Sequence, residues 1–198
     1  MAQWIFSLLF GTTVLWTMLI PHSSFPTGAP ASACENMLPG HTGIQPQQTL
    51  APFEFLVSSP SFLNGQPINI QIVGPAYRGL LLEARSFRST TALGFWKSPP
   101  NNTKYLQCSG NPHGAVTHSN TNLKTRQTTY TWLPPNSGCP PVVTFMATVA
   151  LSHEIYWTNI RSKVIWKNPK ATCGAEMPTR KLPAAALLSL LLILFEYI

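Results

Sequence analysis

The chain has 198 residues, room for one domain plus processing segments rather than two domains. Only 10% of its residues are charged, 19 prolines break up long helices, and aspartate is absent. That absence removes Ser-His-Asp triads, EF-hand loops and aspartate pairs from consideration. The 13 Lys and Arg against 6 Glu give a formal charge of +7, all of it after residue 33. Such a balance favours polyanions without specifying one. The basic residues are spread from Arg78 to Lys170 rather than clustered on a helix, so nucleic acid is not an expected partner.

In chain order, residues 4–20 form an apolar core ended by Pro21, followed by small residues through Ala29, Ala31 and Ala33. This is the pattern of a signal peptide over residues 1–33, with a cut between about 21 and 33 and an Ala-Ser-Ala candidate site before Cys34. The alternative, a membrane anchor, is disfavoured by Pro21 and by the lack of flanking basic residues.

From Pro52 to Ile165 the periodicity is that of strands. Phe53, Phe55 and Val57 alternate with polar neighbours, as do Ile68, Ile70 and Ile72, then Leu80, Leu82 and Ala84 against Glu83 and Arg85. Tyr130 and Trp132 follow, then the long face Val143, Phe145, Ala147, Val149 and Leu151. Turn signals such as Asn64-Gly65, Gly74-Pro75 and Pro99-Pro100-Asn101 separate them. One apolar face per strand predicts an all-β, immunoglobulin-like antiparallel sandwich of seven to nine strands, each sheet solvated on its outside. Trp132, Phe145 and Trp157 fall on strand-like segments and read as core, whereas Trp96 and Trp166 have less regular surroundings. Asn101-Asn102-Thr103 is an N-glycosylation sequon at Asn101 in a proline-rich turn.

Four cysteines, Cys34, Cys108, Cys139 and Cys173, allow three pairings and predict two structural disulfides in an oxidising compartment. None has C-x-x-C spacing, so neither a zinc site nor a thioredoxin-like site is expected. At the far end, small residues Cys173, Gly174 and Ala175 precede a polar spacer within 171–183 and an apolar tail over 184–198. This is the grammar of a GPI-attachment signal, with Gly174 the attachment candidate. Fifteen residues from Ala184 make a helix of about 22 Å, short of the roughly 30 Å hydrocarbon core. A short tail anchor is the alternative; either way the protein is expected at a membrane.

Several dispersed blocks follow one another in a familiar order. Cys34-x-x-Met37-x-Pro39-x-His41, Arg78-Gly79-Leu80-Leu81-Leu82-Glu83-Ala84-Arg85, Cys108, Ala115-Val116-Thr117-His118, Trp132-Leu133-Pro134, Val143-x-Phe145-x-Ala147 and Tyr156-Trp157 together resemble the reeler domain over about residues 34–166. The resemblance implies an immunoglobulin-like sandwich over 34–170 with a Cys34–Cys108 bond, and a second pair, Cys139–Cys173, like that of the spondin-type members. It also implies kinship with stand-alone immune proteins and with ferric-chelate-reductase-like proteins, although no cytochrome region follows here.

The chemistry is sparse. His22 precedes the expected cut, and His41, His113, His118 and His153 lack metal-ligand spacing, so they read as structural. No nucleophile elbow or phosphate loop is present. The chain therefore reads as a non-enzymatic, membrane-tethered extracellular module without metal or cofactor. Its unknown ligand is expected to be an anionic glycan or lipid, met by the outer-face cations Arg78, Arg85, Arg88, Lys97 and Lys104. A redox accessory of the reductases, or a short splice form of a longer relative, are the competing readings.

Overall fold

The computed structural model describes residues 25–173. The predicted signal core, the Gly174 attachment candidate and the apolar tail lie outside the described residues. Within them lie a one-turn helix α1 (Ala33–Asn36) and eleven strands. These are β1 (Glu54–Val57), β2 (Ser61–Phe62), β3 (Ile68–Val73), β4 (Gly79–Arg85), β5 (Phe95–Lys97), β6 (Thr103–Cys108), β7 (Asn111–His118), β8 (Thr129–Leu133), β9 (Val142–Ala150), β10 (Tyr156–Arg161) and β11 (Ile165–Lys167). Among the described residues no helix is long and apolar enough to cross a membrane.

The strands form two sheets, one in the order β1-β3-β8-β5 and a larger one in the order β2-β11-β9-β4-β7-β6, with β10 also paired to β9. The pairings are antiparallel except for β2 with β11, which run parallel, so the larger sheet is mixed. Strands beyond the expected seven to nine are the short pieces β2, β5 and β11, too brief to show a period of two. The β6–β7 hairpin closes through Ser109 (φ 54°) and Gly110 (φ 74°), the left-handed pair that matches the twist of a two-residue turn.

The apolar alternation places the core where it was expected, between the sheets. Ile68, Ile70 and Ile72 of β3 face Leu80, Leu82 and Ala84 of β4 and Phe145, Ala147 and Val149 of β9, all buried. Phe145 packs edge-on against Trp132 with ring centroids 5.3 Å apart. Trp96 is also core, at 1% exposure, its indole N–H donating to Gly114 O (3.2 Å). Trp132 likewise donates to Leu93 O (2.8 Å), so neither indole leaves a buried donor unpaired.

Over its central strands β4 and β9 the outside of the larger sheet is not solvated, and this corrects the sequence expectation. β4 is buried on both faces because the segment before β1 folds back across it. Ala33, Cys34 and Met37 pack with Leu81, Ala92, Cys108, Ala115 and Met146 into a second apolar cluster there. Thr148 Oγ1 donates to Met37 O (2.5 Å), and Thr117 Oγ1 accepts from Ala29 N (2.9 Å). Gly28 (φ 128°) is needed at this crossing, since a Cβ there would stand 2.6 Å from Lys104 Cε and 2.7 Å from His118 O.

Arg85 is the residue most affected. Placed by its alternation on an outer face, it lies under the covering segment at 3% exposure. Its Nε donates to Glu83 Oε2 (2.9 Å), Nη1 to Glu35 O (3.1 Å) and Nη2 to Cys34 O. It is a clamp on the covering segment and is withdrawn as a ligand contact.

The same packing bears on the predicted cut between about residues 21 and 33. A chain beginning at Cys34 would lack the bonds made by Phe25 O and Ala29 N, so, if the predicted leader is removed, the remaining chain is expected to start at or before Phe25. Intact mass and N-terminal sequencing of secreted material check this; a start at Cys34 would show that the Phe25–Ala33 contacts are dispensable.

Candidate functional site

Between the covering segment and the outer face of the larger sheet lies a cavity of about 150 Å³. It opens where Gly79 and Ala150 face each other across β4 and β9, two positions with almost no side chain. A Cβ on Gly79 would come within 2.9 Å of the Ala150 Cβ. Leu81 lies on the sheet side, and Phe25, Met37 and Pro39 close the cavity from the covering segment.

The polar lining is basic or neutral, and no acidic residue takes part. Arg78, at the entry to β4, is exposed and anchored by one bond from Nη1 to Thr121 O (2.8 Å). Beneath it, buried Lys124 donates through Nζ to Arg78 O (2.7 Å), Asn122 O (2.9 Å) and Asn120 O (3.2 Å). Burial, reinforced by the nearby guanidinium, pulls the Lys124 ammonium down to about 8.

His118 is held at both ring nitrogens. Leu80 N approaches Nδ1 (3.2 Å), and Nε2 lies 2.8 Å from Phe25 O. Nδ1 accepting and Nε2–H donating satisfies both contacts with a neutral ring. Burial lowers its pKa, with Lys124 and Lys104 adding to the effect, against backbone hydrogen bonds that raise it. This is the structural role expected of it.

His41 and His153, far apart in sequence, meet at the cavity wall with ring centroids 4.2 Å apart and planes 29° from parallel. His41 Nδ1 and His153 Nε2 are buried without a protein partner. Burial, then the neighbouring His153, lowers the His41 pKa. Stacked rings direct their lone pairs along separate planes rather than at one point, a poor arrangement for chelating one metal ion. Cys34, Glu83 and Cys108 also converge, but their sulfurs are joined to each other, so no thiolate is available.

The remaining predicted residues disperse. Cys34 pairs with Cys108 and Cys139 with Cys173. Asn101 is exposed in the turn between β5 and β6. Lys97 is exposed on β5 of the smaller sheet and Lys104 on β6 of the larger one. Arg88 sits in a left-handed turn over the Phe87 ring, 5.1 Å from its centroid, beyond the far end of β4 from Arg78. Of the five candidate cations only Arg78 lines the cavity. No local sequence signal marks the cavity, because its walls come from segments that meet only in the fold.

Comparison with known proteins bears on the same stretch. The reeler-domain profile matches residues 32–172. Candidate defense protein 3 of Antheraea mylitta is 35% identical over 144 residues, 71% of this chain and 85% of that protein. Ferric-chelate reductase 1 of Bos taurus is 33% identical over 183 residues, 85% of this chain but 30% of that protein, so the likeness leaves most of the reductase uncovered. The human F-spondin reeler domain superposes with a TM-score of 0.51 at 17% identity, over 63% of this chain and 95% of that one, a likeness of fold. The chain belongs to the reeler-domain family.

Proposed function

We propose that this protein is a secreted, membrane-tethered, non-enzymatic binding module of the defence type. Its cavity seats one apolar group of an anionic lipid-like ligand whose charge is met by Arg78. The observation that carries this reading is an apolar cavity with an exposed guanidinium among its lining residues and no carboxylate. Its volume is close to that of an engineered cavity that binds benzene, so it suits the end of an acyl chain or one ring and is too small for a glycan. Two disulfides support an oxidising compartment, and similarity to a candidate defense protein supports the biological setting.

Octanoate is the simplest probe. Calorimetric titration is expected to show binding that weakens as salt rises, while octanol binding is insensitive to salt. Arg78→Met is expected to weaken octanoate about tenfold or more, and Ala150→Trp, which fills the cavity, to abolish it. Octanoate affinity unchanged in both variants, with their melting temperatures preserved, would remove the cavity from the function.

A further inference from the structure

We propose that residues 38–43 form a flap over the cavity, latched at neutral pH by the stacking of His41 on His153, and that acid opens it and frees the ligand. The inference rests on the cavity reading above and adds its regulation. The flap is pinned on both sides but not across its middle. Before it, Met37 O accepts from Thr148 Oγ1 (2.5 Å). After it, Ile44 O accepts from Tyr156 Oη (2.9 Å) and Gln47 N donates to Tyr156 O (2.9 Å). Between these points the hydrogen bonds among the described residues are local, Leu38 N to Asn36 Oδ1 (2.8 Å) and Ile44 N to His41 O (3.3 Å). Gly40 and Gly43 flank His41 at φ 69° and 75°, left-handed positions that let so short a piece turn back on itself.

Pro39 and His41 bring the flap to the cavity wall. The His41 ring stacks on His153 at 4.2 Å and meets Tyr156 edge-on at 5.3 Å. His41 Nδ1 and His153 Nε2 are sealed in this contact without a partner. An imidazolium carries N–H on both nitrogens, so protonating either ring puts a donor where no acceptor waits. Protonating both sets two like charges in stacked contact.

The groups around the pair do not offset two charges. Arg78 and His118 line the same cavity, and Tyr156, raised by burial, stays neutral in acid. Glu154 supplies a carboxylate 3.4 Å from His153 Nδ1, exposed at 66%, which balances one charge and not two. Burial, then His153, holds His41 below its ordinary 6.5, although a His153 backbone contact and Glu154 pull the other way. The closed flap is therefore fully stable above about 6.5 and weakens as pH falls below it, because the lifted form takes up the protons. His118 is not part of the latch. Lys124 and Lys104 disfavour its charge, yet a charged ring keeps both bonds, donating from Nδ1 to Leu80 O (3.2 Å) and from Nε2 to Phe25 O (2.8 Å). The Phe25 end of the roof stays fastened while the His41 end lets go.

Proton NMR and calorimetry at about pH 7.5 and about pH 5 test the latch, with octanol as ligand because it does not titrate. Nuclear Overhauser contacts from the His41 ring to His153 and Tyr156 are expected at the higher pH and lost at the lower. Those between Trp132 and Phe145 are expected at both, marking an intact core. Octanol affinity is expected to fall about tenfold or more between the two. The double change His41→Phe and His153→Phe, which keeps stacked rings that cannot charge, is expected to make the two affinities equal. His118→Gln is expected to retain the fall. His41 contacts that persist in acid, or a fall undiminished in the double variant, would overturn the latch. Octanol that binds at neither pH would overturn the cavity reading alone. The wild-type ring contacts still decide the flap in that case, as they do if the double variant does not fold.

Discussion

Arg85→Ala is expected to lower the unfolding free energy by about 3–5 kcal/mol, among the largest effects of any single substitution in this domain. The guanidinium is 3% exposed and serves the Glu83 carboxylate and two carbonyls of the one-turn helix at once. Its removal leaves Glu83 buried, with Oε1 already lacking a partner. Urea denaturation measures the loss. The double variant Glu83→Leu, Arg85→Met is expected to recover most of it, because a buried pair replaced by well-packed apolar groups is close to neutral. A double variant as unstable as the single one would show that the pair is more than a mutual dependence of two buried charges.

The same carboxyl gives the domain a pH signature. Burial pushes Glu83 up to about 7 from an ordinary 4.5, against the pull of Arg85. The folded protein then holds a proton that the unfolded chain releases, so the stabilisation from Glu83 is full below about 4.5 and is lost as pH rises to about 7. His41 and His118, lowered by burial, act in the opposite sense as pH falls through their range. They cancel when the wild type is compared with Glu83→Gln. The stability difference, wild type minus variant, is expected to fall across that window, and a flat difference would mean that Glu83 titrates as an ordinary carboxylate.

Replacing Cys34 and Cys108 together by alanine is expected to cost about 4 kcal/mol, the entropy returned to an unfolded chain by opening a loop with a sequence separation of 74. The Cys139–Cys173 loop, with a separation of 34, should cost somewhat less by the same argument. The two losses differ more in place than in size. Cys34 is in the covering segment and Cys108 ends β6, so opening that bond frees the segment that roofs the cavity. Limited proteolysis should then cut first among residues 25–50, with octanoate binding lost in parallel. Cleavage confined to the chain near Cys139 would contradict this.

The inward faces of β3, β4, β8 and β9 were legible from the chain alone, since burial against a sheet rewards a period of two over five or more residues. The fold class and the core around Ile70, Leu82, Trp132 and Phe145 follow from it. Ordered blocks around Cys34, Arg78–Arg85 and Cys108 were enough to indicate the family. Alternation, however, records only that Leu81, Glu83 and Arg85 point opposite to Leu80, Leu82 and Ala84. Whether the opposite side meets water is decided by residues 25–50, which cross β4, β7 and β9 with no periodicity of their own. Sequence spacing likewise carries no trace of the stacking of His41 on His153, or of the small pair Gly79 and Ala150 that leaves the cavity open. Tertiary structure decided those points, because a cavity is defined by side chains absent from positions that become neighbours only after the sheets and their covering segment have packed.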